Sequence, residues 1–222
     1  MITFASQKKA AMRILENVSL QPFNTFGIAV KAAHMVTLSS EEELHAFTAK
    51  YDRYEPFMMV GCGANLLFTK DYAGTIVRLE TKGVREVSRD VDHILLQVAA
   101  GEVWDDFVQF CVKNGYYGVE NLALIPGKVG SAVVQNIGAY GREVRDVVET
   151  VHALDRETGL RVTIGNTDCC FGYRESLFKK HPQRYLITSV VFRLGLKPCF
   201  HTSYEDVAAR LKERGETSLL SV

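Results

Sequence analysis

The sequence is poor in the features that mark most specialised classes of protein. Neither sign of charge is in excess, because 26 Lys and Arg stand against 26 Asp and Glu. No global field therefore draws the chain to nucleic acid or to an anionic membrane, and an anionic ligand must be held by a local site. No apolar run approaches the roughly 18 residues of a membrane span. The opening stretch MITFASQKKAAMRILENVSL lacks the continuous apolar core and cleavage site of a secretory leader, so a cytoplasmic location is expected. The five cysteines, Cys62, Cys111, Cys169, Cys170 and Cys199, show no CxxC spacing, which suits neither a zinc site nor a disulfide framework and predicts reduced thiols. The six histidines are scattered singly, without the short spacings of metal ligands, and no metal is expected. There is no internal repeat and no Pro- or Ser-rich linker.

What is present is an ordinary globular composition: 222 residues, 47% hydrophobic and 10% aromatic, enough to bury a sizeable core in one large domain or two small ones. Ser40 with Glu43 three residues on makes a capping box, and Leu44 and Phe47 begin an apolar face, predicting a helix near residues 40–50. Phe57 to Val60 and Gly74 to Val77 read as short buried strands. Val84 to Ser88 and Ile94 to Val98 flank a polar turn, as in an antiparallel hairpin. Trp104, Phe107, Val108, Cys111 and Val112 share one helical face over residues 103–114, and Gly115 can end the helix. Residues 116–141 are rich in Gly, Asn and small side chains with little periodicity, which predicts a long internal loop of the functional kind. Val147 to Asp155, Arg161 to Ile164 and Tyr185 to Leu194 read as further strands. The expected class is α+β, with a small lobe to about residue 75 and a more antiparallel lobe from 76 to 222.

Three clusters carry chemistry. In Val60 to Phe68, VGCGANLLF, Gly61 and Gly63 let backbone N–H groups approach a phosphate with no Cβ in the way; the same pair also serves as a tight turn. A Rossmann fingerprint is excluded, since Leu66 stands where the third glycine belongs and fewer than ten residues precede the next strand, too few for a crossover helix. In Leu124 to Gly141, LIPGKVGSAVVQNIGAYG, four glycines lie among Ser131, Gln135 and Asn136, either as a second donor-rich ligand loop or as a glycine-rich crossover packed between sheets. A P-loop is excluded because Val129 follows Gly127-Lys128. In Cys169 to Arg184, CCFGYRESLFKKHPQR, Arg174 has the fork geometry for a carboxylate, enolate or phosphate, and the basic run after it fits a solvated face. Two glycine loops in so short a chain favour a large nucleotide with a pyrophosphate.

These motifs, in this order, resemble the UDP-N-acetylenolpyruvoylglucosamine reductases, flavoenzymes of peptidoglycan synthesis and so of cell wall biogenesis. Asn24-Thr25-Phe26-Gly27 resembles the family's NTFG entry, and Gly61-Cys62-Gly63-Ala64-Asn65 its GxGSN flavin-phosphate loop, with Ala64 in place of the serine. Glu120 to Gly127, with Val129-Gly130-Ser131 and Gln135 to Gly141, resembles the second flavin loop, Phe171 to Ser176 the FGYR(D/E)S segment, and Tyr204 stands where the family has a tyrosine that contacts the nucleotide substrate. The resemblance implies two packed α/β lobes of the FAD-binding type 2, vanillyl-alcohol-oxidase-like fold. It implies noncovalent FAD bound by Gly61, Cys62, Gly63, Ala64, Asn65 and Leu66 on one loop, and by Ile125, Pro126, Gly127, Gly130, Ser131, Asn136, Gly138 and Ala139 on the other. NADPH is the implied electron donor, the UDP-sugar the implied substrate, Arg174 the catalytic cation, and Tyr140, Tyr173 and Tyr204 the substrate contacts.

The resemblance also implies a further C-terminal substrate domain, with a proton-donating serine and an acidic catalytic residue, that has no counterpart before Val222. The chain is accordingly expected to bind FAD without turning over substrate. Two other readings are an FAD-dependent sugar or alcohol oxidase on the same fold, marked by flavin that survives denaturation, and a non-catalytic nucleotide-binding module, which would leave Arg174 and Tyr204 without purpose.

Overall fold

A computed structural model describes residues 13–51, 56–202, 204, 209 and 213. Two sheets dominate it. The first contains β1 (Arg13–Ser19), β2 (Lys31–Leu38), β3 (Phe57–Met59) and β4 (Tyr72–Leu79) in the order β1-β2-β4-β3. β1 runs antiparallel to β2, whereas β2 and β3 both run parallel to β4. Between β2 and β3 lies helix α1 (Glu41–Tyr51). Its start follows the predicted capping chemistry with one shift: Glu43 N–H donates to Ser40 Oγ at 3.2 Å, while the Glu43 carboxylate accepts from Ser39 N–H at 2.7 Å. Three glutamates in the first turn also complement the helix dipole. Leu44 and Phe47 are buried, and Phe47 meets Phe57 edge to face at 5.4 Å, which fixes the helix on β3.

The second sheet is antiparallel throughout, in the order β10-β9-β11-β6-β5. Its strands are β5 (Val84–Arg89), β6 (His93–Ala99), β9 (Val148–Asp155), β10 (Leu160–Gly165) and β11 (Tyr185–Gly195). β6 alternates strictly, with Ile94, Leu96 and Val98 inside, the period-2 signature of a sheet with one buried face. Helix α2 (Trp104–Lys113) buries Trp104, Phe107, Val108 and Cys111. The Trp104 and Phe107 rings pack on Phe192 of β11 at 6.0 and 4.9 Å, and the Trp104 indole N–H donates to Leu122 O at 2.8 Å. The lone tryptophan is thus a core residue with a satisfied polar end. One hydrophobic cluster draws Val36, Leu38 and Val77 of the first sheet and Phe47 of α1 together with Ile94, Val151 and Phe192 of the second sheet.

The chain passes from one sheet to the other between Leu79 and Val84, just beyond residue 75, which lies within β4. Two expectations are corrected. Residues 116–141 are not a bare loop: they contain helix α3 (Val129–Val134) and β7 (Gly138–Ala139), which pairs with β8 (Arg142–Glu143). The interval between β3 and β4 spans residues 60–71, twelve residues where fewer than ten were expected, and the parallel return is made without a helix.

Candidate functional site

The first glycine loop leaves β3 at Val60, whose N–H is the last to join the sheet, donating to Val77 O at 2.9 Å. Beyond it, the N–H groups of Gly61, Cys62, Gly63, Ala64 and Asn65 meet no acceptor among the described residues. Consecutive unpaired amides make a concave donor surface suited to an anion. Space demands glycine at position 63 and leaves little to spare at 61. A Cβ on Gly61 would lie 3.0 Å from Ser131 Oγ, and one on Gly63, at φ +70°, would lie 2.0 Å from Phe23 O. The loop is seated against the segment that begins the NTFG match, and Thr25 N–H donates to Gly63 O at 3.4 Å. That segment is pinned in turn by buried Asn24, whose side-chain amide donates to Leu20 O and Ile28 O and accepts from Ile28 N–H. Leu66 packs with the small cluster of Leu20, Val30 and Ile76.

The second loop lies alongside, but its donors are largely spent. Val129 N–H donates to Glu102 O, Gly130 N–H to Ala100 O and Lys128 N–H to Ser131 Oγ. The carbonyls following β6 thus consume the amides at the start of α3. The second loop therefore offers fewer open N–H groups than its composition suggests, and the longest run of open amides among the described residues of the two loops belongs to the first. The second loop supplies walls and side chains instead. Ser131 flanks Gly61, and Gln135 Oε1 accepts from Asn65 Nδ2 at 2.6 Å, tying the two loops together. Ile125 is partly buried against the main core, Pro126 is exposed, and Gly127 O accepts from Trp104 N–H.

The third cluster is bound to the far end of the second loop. Gly172 and Glu175 exchange backbone hydrogen bonds across a tight turn with Tyr173 and Arg174 at its tip, Arg174 adopting φ +52°. Fully buried Asn136 donates from Nδ2 to Gly172 O and accepts from Arg145 N–H. Ser176 Oγ donates to Val134 O while accepting from Lys179 N–H, and Arg174 Nη2 donates to Gly138 O at 2.7 Å. One guanidinium nitrogen is thereby anchored, leaving the remaining donors of the fork for a ligand. The Tyr140 and Tyr204 rings meet edge to face at 5.7 Å, both about half exposed. Asn121 steadies that pair from below, donating to His201 O at 2.9 Å. Tyr173 is 87% exposed, and its described partner is the Arg174 guanidinium at 6.0 Å, not the tyrosine pair. Ala139 forms β7 with Gly138.

Sequence reasoning did not single out Lys128 as a site residue. It is 7% exposed, donates to Leu79 O at 2.7 Å and pairs with Glu80 at 2.8 Å. Burial lowers its pKa, and the Glu80 carboxylate works against that shift. Its signal in the sequence was that it is the single charged residue of the Leu124–Gly141 loop. Among the thiols, Cys62 lies half-buried in the first loop, Cys111 and Cys169 are buried, and Cys170 and Cys199 are exposed. Burial pushes the Cys111 thiol up, and pushes Cys169 up to about 12. No group of metal-ligating side chains occurs among the described residues, and no described helix is long and apolar enough to cross a membrane.

The family described as FAD binding domain matches residues 32–165, a stretch containing both glycine loops. The UDP-N-acetylenolpyruvoylglucosamine reductase of Pseudomonas putida is 44% identical over 205 residues, covering 92% of this chain and 60% of that protein. Its counterpart in Chromobacterium violaceum is 44% identical over 202 residues, covering 90% and 59%. The chain therefore spans about 60% of the length of the curated relatives it matches. Among solved structures, the UDP-N-acetylenolpyruvylglucosamine reductase of Thermus caldophilus superposes with TM-score 0.68 at 26% identity, covering 93% of this chain and 71% of that one. Cholesterol oxidase from B. sterolicum superposes with TM-score 0.58 at 12% identity, over 88% and 40%, a likeness of fold alone.

Proposed function

The chain belongs to the FAD-binding domain family, and from that premise we propose that it is the flavin-binding part of a reductase acting on the enolpyruvyl group of UDP-N-acetylglucosamine enolpyruvate, with NADPH as electron donor. The observation that carries the reading is the run of unpaired amides at Gly61 to Asn65, on a loop whose glycines leave room only for backbone. Such a surface fits the diphosphate of FAD. Bound there, FAD supplies the hydride relay between the nicotinamide and the enolpyruvyl double bond.

The chain's own residues do the rest. Gly61, Cys62, Gly63, Ala64 and Asn65 hold the diphosphate through N–H groups, Leu66 anchors the loop, and Ser131, Gly127 and Gly130 close the opposite wall. Ile125, Pro126, Gly138 and Ala139 line the path toward the third cluster, and buried Asn136 acts from behind it by holding the turn that carries Arg174. Arg174, pre-oriented by Gly138 O, holds the substrate carboxylate and the negative charge that grows beside it as hydride arrives. A fixed cation in a partly desolvated site lowers that barrier without reorganising. Tyr140 and Tyr204 present paired ring edges to the nucleotide of the substrate, and Tyr173, exposed at the tip of the turn beside Arg174, offers a further substrate contact. Product formation, UDP-N-acetylmuramate in peptidoglycan synthesis, belongs in this reading to a longer polypeptide working in the cytoplasm, and these residues alone bind FAD without steady turnover.

The test is a visible absorption spectrum of the purified chain with and without FAD, before and after denaturing filtration. The expected result is a flavin spectrum that follows the protein in the native state and passes the filter after denaturation. Failure to take up FAD refutes the binding assignment. Flavin retained by the denatured chain refutes the noncovalent one, and sustained reduction of the UDP-sugar by these 222 residues refutes the division of labour.

A further inference from the structure

The two glycine loops belong to different sheets, and the direct bond between them, Asn65 to Gln135, lies at the exposed surface, where a single bond contributes little rigidity. Beneath them is a second, more deeply placed connection. Glu80, one residue past the end of β4, offers one carboxylate oxygen to two cations: Arg78 Nη2 at 2.9 Å and Lys128 Nζ at 2.8 Å. The Lys128 arm also grips Leu79 O and stands one residue before α3, with its backbone N 3.8 Å from the position of a Cβ on Gly61. The Arg78 arm lies over the Phe23 ring, 4.5 Å from the centroid. Phe23 is the residue whose carbonyl closes on Gly63. Arg78 Nε is buried and without a hydrogen-bond partner, so that guanidinium is held by its stack on Phe23 and its contact with Glu80.

We propose that Arg78, Glu80 and Lys128 form a positioning clamp that sets the distance between the first glycine loop and the start of α3, and thereby the grip of the site on a diphosphate. One arm reaches the underside of the first loop through Phe23, the other reaches the second loop directly, and Glu80 is the shared joint. None of the three is a catalytic residue. The clamp rests on the reading of the first loop as a diphosphate cradle. It predicts selectivity among flavins, because riboflavin shares the ring system of FAD and lacks the diphosphate.

The experiment compares FAD and riboflavin binding, by flavin fluorescence, to the chain and to its Lys128→Met, Lys128→Arg and Glu80→Gln variants. Hydrogen exchange over residues 128–135 of the flavin-free proteins is measured alongside. Lys128→Met is expected to weaken FAD binding on the order of tenfold, the scale of coupling within one ion-pair network, and riboflavin binding by less than about threefold. Lys128→Arg should recover most of the loss, and exchange over 128–135 should rise in Lys128→Met alone among the lysine variants. Glu80→Gln, at a more exposed position, supplies the same comparison if Lys128→Met does not fold. Equal weakening of FAD and riboflavin, or FAD affinity unchanged in a variant that has lost only stability, overturns the clamp. A parent chain that binds neither flavin overturns the cradle itself. In that case exchange decides the clamp separately, since a rise in Lys128→Met upholds the spacing role and an unchanged profile removes it.

Discussion

Gly63 and Gly159 share a backbone angle of φ +70° but not an environment, and the difference isolates the cost of closing the first loop. Alanine in a left-handed conformation costs roughly 1–2 kcal/mol wherever it occurs. Gly159 has nothing within 4 Å of the added Cβ, so Gly159→Ala should lose about 1 kcal/mol and nothing else. At Gly63 the added atom would stand 2.0 Å from Phe23 O and 3.0 Å from Asn24 Cα, against an ordinary contact of 3.4 Å or more. The neighbour is backbone, so the segment must move by more than about 1 Å. That displacement breaks the Thr25 N–H bond to Gly63 O and pulls on Asn24, whose side chain ties Leu20 to Ile28, at about 1 kcal/mol per disturbed bond. Gly63→Ala should therefore lose about 3 kcal/mol in urea unfolding, some 2 kcal/mol more than Gly159→Ala, or roughly thirtyfold in the folded-to-unfolded ratio. FAD affinity should fall on the order of a hundredfold in the first variant, the scale expected of an ångström of misplacement, and remain unchanged in the second. Equal stability losses, with FAD affinity untouched in Gly63→Ala, would refute the account of this loop as a space-limited cradle.

Asn136→Ala should cost about 2 kcal/mol in the same urea assay, since it strands Gly172 O and Arg145 N–H away from water. It should also lower Arg174-dependent substrate binding by loosening the turn that carries it. In native thiol titration, Cys170 and Cys199 should react first, Cys62 more slowly and more slowly still with FAD present, and Cys111 and Cys169 only after unfolding; rapid native reaction of either buried thiol would contradict their placement. The Arg184 guanidinium holds the Asp155 carboxyl below its ordinary value. Because the folded value is the depressed one, the stabilisation is complete above the ordinary carboxylate range and is lost as pH falls through the folded value. The urea midpoint should drop on that acid limb in the parent chain, and Asp155→Asn should flatten it.

The parts of the fold that show in the sequence are those whose side chains alternate or repeat over enough length. α2 reveals itself because Trp104, Phe107, Val108 and Cys111 fall on one face, and β6 because Ile94, Leu96 and Val98 alternate with polar neighbours. β1 is an edge strand whose residues are mostly exposed, so it carries no buried alternation to find. α3 runs for fewer than two turns, too short for a 3.6-residue period to emerge. At the site, the glycines of the first loop point to backbone donors unaided. The exhaustion of the α3 amides depends on the carbonyls of Ala100 and Glu102, a tertiary fact that no local pattern encodes. Lys128 entered the sequence argument only as part of the case against a P-loop, and its pairing with Glu80 spans nearly fifty residues. The Tyr140 and Tyr204 positions came from family resemblance; their ring contact is a finding of the structure.

The second sheet also has an order of assembly built into it. β5 pairs with β6 and β9 with β10 as hairpins closed by local turns, and among the described strands β11, the last of the five in the chain, is what joins the two hairpins in the sheet. Its register joins Leu194 to Ile94 on one side and Val190 to Val151 on the other. Until the ribosome has released that segment, the inner edges of β6 and β9 are open, with Ile94, Leu96 and Val151 uncovered. Pairings of such sequence separation form slowly and leave strand edges exposed in the meantime. Without β11 the facing edges of β6 and β9 carry unpaired backbone groups, the kind of edge that pairs with another chain.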